Sequence, residues 1–161
     1  MASVSRRALL SAGGTAGAVG AFGVGMRSAT AAPAPRGSFT LYGAALRVVG
    51  PRRRREAGDS LTVHGTVHRA QGGPSVGAVY KTATVLSHAT SAEPLATVET
   101  QLFQLDDGTL TGTGTVGHDG VGEFTVTGGS GRFAGAQGTY RSRQHADHSG
   151  GGTAEYVFQL H

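Results

Sequence analysis

The chain has 161 residues, 28 of them glycine, no cysteine, and a formal net charge of +4. That length suits one domain. The missing cysteines exclude disulfides, thiolate catalysis and cysteine-ligated metals.

The first stretch differs from the rest. Ser5-Arg6-Arg7-Ala8-Leu9-Leu10 is a twin-arginine pattern, 11–26 is a weakly apolar Ala/Gly/Val run, and Ala29-Thr30-Ala31 is an A-x-A cleavage signal. Charged head, apolar middle and small-residue exit together predict a Tat-type signal peptide over 1–31. A short disordered linker over 32–37 and one domain over 38–161 follow, and the mature protein is expected to be secreted. Stable membrane insertion is not expected, because the run lacks Leu and Ile and falls short of the roughly 20 apolar residues of a span. Cleavage after Ala31 removes Arg6, Arg7 and Arg27 and leaves 11 basic against 10 acidic side chains. The mature net charge is then about +1, so the chain's basic pI gives no ground for nucleic-acid binding.

Beyond the linker, apolar residues alternate rather than recur at helical spacing. The segments 38–49, 61–68, 76–87, 95–105, 109–116, 121–127, 137–144 and 154–160 each read as a strand. Turn residues separate them. Asp106-Asp107-Gly108 is the clearest hairpin signal among them. No segment reads as a helix. Eight sequential strands predict an all-β, antiparallel up-and-down barrel, closed so that no edge stays exposed. A sandwich is the alternative.

Few residues carry recognisable chemistry. Gly128-Gly129-Ser130-Gly131-Arg132-Phe133-Ala134-Gly135-Ala136-Gln137-Gly138 is glycine-rich. It lacks the Lys-[Ser/Thr] of a phosphate loop and the third glycine of a dinucleotide fingerprint. It reads instead as a turn that buries Phe133. His64 and His68 point to one face of a strand, but about 13 Å separates them, too far for one metal ion. His145, Asp147 and His148 lie in a polar stretch and read as solvated rather than as ligands. Arg52-Arg53-Arg54-Arg55 is followed by Glu56 and Asp59 and reads as a solvated loop, the alternative being an anion or membrane-surface contact. No metal site is expected. G-x-S-x-G is absent, and no Ser-His-Asp arrangement is recognisable.

Three features resemble the allene oxide cyclase and dirigent barrel family, as a secreted bacterial member. They are Gly58-Asp59, Pro74-Ser75-Val76-Gly77, and the run from Thr127 through Phe133 to Gly138, which is similar to that family's T-G-G-[AST]-G-x-F-x-G-A-x-G signature. The similarity runs without gaps from about Ala96 to Ser142 and more loosely from Phe39 to Leu160. Small bacterial cyclases of polyketide biosynthesis carry a similar S-G-R-[FY]-x-G run. The resemblance implies a calycin-like eight-stranded barrel with an apolar lumen, often a dimer or trimer. It also implies cofactor-free catalysis in which a flexible hydrophobic molecule is folded toward one ring closure. The cyclases' catalytic glutamate falls on Gly43, and their asparagines on Ala45 and Gly65. The dirigent proteins' aspartate, near the same point of the first strand, is missing too.

Following the family's facing, the resemblance implies a lumen lined by Leu41, Gly43, Ala45, Leu61, Val63, Gly65, Val67, Val79, Ala83, Val98, Leu102, Leu110 and Val116. Glu99, Phe103 and Glu123 would then point outward. Lys81, the only lysine in the chain, falls between Val79 and Ala83 on their own face. Buried there, it would have a lowered pKa and could act as base, hydrogen-bond donor or imine former. At the barrel mouth it would instead reach water. Three functions stay open: a cofactor-independent cyclase or isomerase of a lipophilic small molecule, a non-catalytic carrier of small hydrophobic ligands, and a barrel with a filled lumen serving surface contacts.

Overall fold

The computed structural model describes residues 35–53, 55–86 and 96–161. The expected export segment lies outside the described residues. Eight strands follow one another: β1 Gly37–Val49, β2 Ser60–His68, β3 Ser75–Val85, β4 Thr97–Leu105, β5 Gly108–Val116, β6 Val121–Gly131, β7 Gly138–His145 and β8 Gly152–Leu160. Each pairs antiparallel with the next, and β8 closes on β1 through Leu41↔Tyr156 and its neighbours. The result is a closed barrel with no sheet edge. All eight strand starts and seven of the eight strand ends fall within two residues of the sequence reading.

Alternation builds the barrel wall. In β8, Ala154, Tyr156, Phe158 and Leu160 are buried while their neighbours are exposed. In β7, Tyr140 and Ser142 are buried in the same way. Side chains of one parity thus fill the interior, as a closed sheet requires.

One irregularity breaks the parity of β1. Ala44 pairs with Thr66 and Arg47 with His64, so β1 carries one residue more than β2 across that span. Ala45 takes the left-handed conformation, with φ of 53°, at this bulge. The extra residue turns Ala45 to solvent and brings Leu46 and Val48 inside. Ala45 is therefore not a lumen residue.

The glycine-rich run is a barrel corner. β6 continues through Gly131, and 132–137 form the turn into β7. Gly131 has a φ of 59°, a conformation that suits glycine. It lets the Arg132 amide donate to the Asp107 carbonyl at 2.8 Å, tying the corner to the β4–β5 hairpin. Phe133 is 2% exposed and caps that end of the barrel, 6.2 Å from the Phe39 ring.

Candidate functional site

The interior divides along the barrel axis. The half beneath the Phe133 corner is filled by rings. Phe39 stacks on Phe158 at 4.7 Å, Phe124 on Tyr140 at 4.7 Å, and Tyr140 on Phe158 at 4.5 Å. Phe103 meets Tyr140, Tyr156 and Phe158 edge-on, the geometry aromatic quadrupoles favour. Space for these rings comes from the strand opposite. A Cβ at Gly112 would lie 2.4 Å from Tyr140 Cε1.

Toward the other end the inward residues shrink. Gly43, Val63, Ala83, Val116 and Ala154 line a cavity of about 1160 Å³. It continues over the rim to outward residues such as Tyr42 and Glu155, so only part of that volume lies inside the barrel. Lys81, Thr97, Glu99 and Gln144 also line it and supply a polar wall.

Register brings this wall together. Lys81 of β3 pairs with Gln101 of β4, and Ala83 with Glu99. Directly paired residues share a face, so Gln101 and Glu99 point inward with Lys81. Lys81 is 2% exposed, Gln101 0% and Glu99 7%. The Lys81 ammonium donates to Gln144 Oε1. The amide of Gln144 donates from Nε2 to both Glu99 oxygens at 2.9 Å. Rotating that amide by half a turn would set NH₂ against ammonium and carbonyl against carboxylate, so the network fixes its orientation. Gln101 Nε2 donates to Glu99 Oε2 at 2.7 Å, and Thr97 Oγ1 to Glu99 Oε1 at 3.2 Å. The Tyr140 hydroxyl donates to Gln101 Oε1 at 3.2 Å and joins the polar wall to the rings. The hydroxyls of Ser142 and Tyr156, paired across β7 and β8, are buried without a hydrogen-bond partner.

Burial governs the charges here. It lowers the Lys81 ammonium from 10.5 to about 8, against the opposing pull of the Glu99 carboxylate. Burial, assisted by the Glu99 charge, raises the phenols of Tyr140 and Tyr156 above their ordinary value. The Tyr156 face, 5.1 Å from Lys81 Nζ, gives the ammonium a cation–π contact.

The residues named from the sequence fall on both sides of the barrel wall. Leu41, Gly43, Leu61, Val63, Val67, Val79, Lys81, Ala83, Leu110 and Val116 are inside. Gly65 also faces in, where a Cβ would meet Leu46 Cδ2. Val98 and Leu102 do not line the lumen. They are 36% and 37% exposed and lie on the outer wall, Leu102 opposite the exposed Tyr80. Glu99 and Phe103, expected outside, are inside, while Glu123 is outside and 3.6 Å from Arg141. The cause is β4 itself. Its inward row is Thr97, Glu99, Gln101, Phe103, Leu105, and three polar residues in that row reverse the usual hydrophobic signal. The hairpin register held the correction. Leu105↔Gly108 sets Phe103 opposite Leu110 and Gln101 opposite Gly112, so an inward Leu110 requires an inward Phe103, Gln101 and Glu99.

His68 bonds Thr66 Oγ1 at 3.0 Å and the Gly73 carbonyl at 2.7 Å. Asp147 Oδ1 takes the amides of Ser149, Gly150 and Gly151, which shapes its own turn. Among the described residues no three His, Cys, Asp or Glu converge on a metal position. In the arginine run, Arg53 pairs with Asp59 at 2.8 Å.

No protein-family model matches the sequence, and no curated protein matches it significantly. Solved structures do match. A pyocyanin demethylase superposes with a TM-score of 0.60 at 18% identity, covering 77% of this chain and 99% of that one. The pterocarpan synthase dirigent protein PsPTS1 gives 0.57 at 16% identity, over 76% and 91% of the two chains. The related GePTS1 gives 0.53 at 18%, over 76% and 81%. Likeness at these identities is a likeness of fold, and by fold the chain is an eight-stranded dirigent-like β-barrel.

Proposed function

We propose that the barrel takes a lipophilic small molecule into this cavity and promotes its ring closure or isomerisation without a cofactor. The observation that carries the reading is the Lys81–Gln144–Glu99 array on the wall of a cavity whose inner lining includes Gly43, Val63, Ala83, Val116 and Ala154. An ammonium and a carboxylate held apart by one amide can give and take a proton at two points of the same ligand. Apolar walls restrict the conformations of a flexible ligand and favour near-attack geometry. Small apolar residues beside a few inward polar groups suit such a ligand. Neighbours named for acting on pyocyanin and for making a pterocarpan support a small molecule as occupant.

One feature favours a carrier instead. Each Glu99 oxygen already accepts from two donors, and Lys81 already has its acceptor, so the array is saturated as it stands. A ligand that takes the place of Gln144 on either charge must displace that half-buried side chain. Product analysis with lipophilic polyenes and epoxides separates the two. Turnover that falls at least about 100-fold in Lys81→Met and in Glu99→Gln, with binding retained, supports catalysis. Binding with no turnover in the wild type sinks the catalytic reading and leaves the carrier.

We also propose Tat export, on the Arg6-Arg7 pattern and the Ala29-Thr30-Ala31 exit. Mass spectrometry of culture supernatant should find a mature chain beginning at Ala32. Retention of the full-length chain inside the cell would contradict export.

A further inference from the structure

The cavity wall holds one primary amine, and its setting is unusual for a structural lysine. Buried charges are commonly paired with an opposite charge. Lys81 is not paired directly: Gln144 stands between it and Glu99. The ammonium meets a neutral amide and the Tyr156 face rather than the carboxylate itself. Lys81 borders the cavity although it is 2% exposed, with Ala83 beside it on β3 and Gly43 and Ala154 among the other lining residues. Desolvation favours the free amine of a lysine, and the carboxylate one amide away is a base within reach once Gln144 moves.

On the small-molecule reading above, we propose that the ligand is a lipophilic aldehyde or ketone and that Lys81 captures it as an iminium. Gln144 swings aside, and the Glu99 carboxylate takes one proton from the ammonium. The free amine attacks the carbonyl carbon. A C–N bond forms, and the π electrons move to oxygen, which takes a second proton from nitrogen to give a carbinolamine. Glu99 returns its proton to that hydroxyl, which leaves as water as the nitrogen lone pair closes the C=N bond. One ammonium and one carbonyl compound give one iminium and one water, with no oxidant or reductant. The iminium is an electron sink and acidifies the adjacent carbon, so a single lysine can drive isomerisation without a cofactor. Burial supports the first step. With Lys81 lowered to about 8, on the order of a tenth of it is free amine at pH 7.

The sequence makes the test clean, because Lys81 is the only lysine and the chain N-terminus is the one competing amine. The folded protein is incubated with cinnamaldehyde and sodium cyanoborohydride at pH 7, then weighed intact and mapped by peptide. Cinnamyl alcohol, of the same shape but without a carbonyl, reports entry to the cavity by calorimetry. A single addition on Lys81 is expected. It should form at least about tenfold faster than on the urea-unfolded chain and slow markedly in Glu99→Gln. If cinnamyl alcohol binds and Lys81 gains no adduct, or gains it no faster than the unfolded chain, iminium capture is wrong and the cavity reading survives. If neither compound binds, the cavity reading fails and the inference with it. The decisive comparison uses the wild type alone, so a variant that does not fold leaves it intact.

Discussion

The two halves of the barrel interior are built from the same strands and do opposite things. In β8 the inward row runs Ala154, Tyr156, Phe158, Leu160, and in β7 it runs Gln144, Ser142, Tyr140. Each strand goes from small or polar at the cavity to aromatic at the Phe133 corner. The ring half is filled and carries stability. The other half holds Lys81, Glu99 and Gln144 on the wall of the cavity. Functional sites commonly break the rules that the rest of a fold obeys, and here the break is confined to one end. The Tyr140 hydroxyl, bonded to Gln101, is the joint between the halves.

An identical truncation in each half breaks the comparison if the halves are alike. Leu110, fully buried opposite Phe103, and Leu61, on the cavity wall, are both leucines. Leu110→Ala should cost about 3–5 kcal/mol and Leu61→Ala nearer 2 kcal/mol, since truncation beside an existing space loses fewer contacts. Urea denaturation of both variants checks this. Equal costs would mean the cavity half is packed like the ring half.

Gly112→Ala probes the joint. The new methyl would meet the Tyr140 ring at 2.4 Å. Displacing that ring should destabilise by up to about 3 kcal/mol and should loosen Gln101 from the phenol. Thermal unfolding gives the first, and tyrosine ring resonances give the second.

The pH dependence of stability separates the halves by charge. Lys81 is lowered from 10.5 to about 8. Between those values the unfolded chain binds a proton that the folded chain does not, so stability rises with pH, by on the order of 2 kcal/mol from pH 8 to 10. Tyr140 and Tyr156 act the other way. Their phenols are raised above 10.0, so above that pH the unfolded chain loses protons that the folded chain keeps, and stability falls. Urea midpoints across pH 7–11 should peak near pH 10. Lys81→Met should flatten the rising limb and leave the fall. A flat wild-type profile would place Lys81 in water.

The outer wall should barely respond. Glu123→Ala removes an exposed partner of Arg141, and exposed pairs of this kind contribute little. No measurable change in melting temperature is expected. A clear loss would give the outer wall a role in stability that its exposure does not suggest.

These contrasts also explain what could be read from the sequence. Strand positions, barrel closure and the capping role of Phe133 follow from alternation, turn residues and glycine spacing, which act locally. Lys81 was legible because Val79 and Ala83 flank it on one parity. Glu99, Gln101 and Gln144 were not, because polar residues facing inward reverse the alternation used to orient β4, where Val98 and Leu102 mimic a core face. Ala45 was lost to a bulge, which no composition or spacing in β1 announces. Only pairing between strands resolves both, and pairing is a property of the fold.

Lys81 is the chain's only lysine, so ¹³Cε-lysine labelling yields a single NMR resonance. It should titrate near pH 8 and shift on adding a lipophilic ligand, as expected of an amine on the cavity wall beside Gln144 and Glu99. A resonance that titrates near 10.5 and ignores every ligand would contradict a functional site at this end of the barrel.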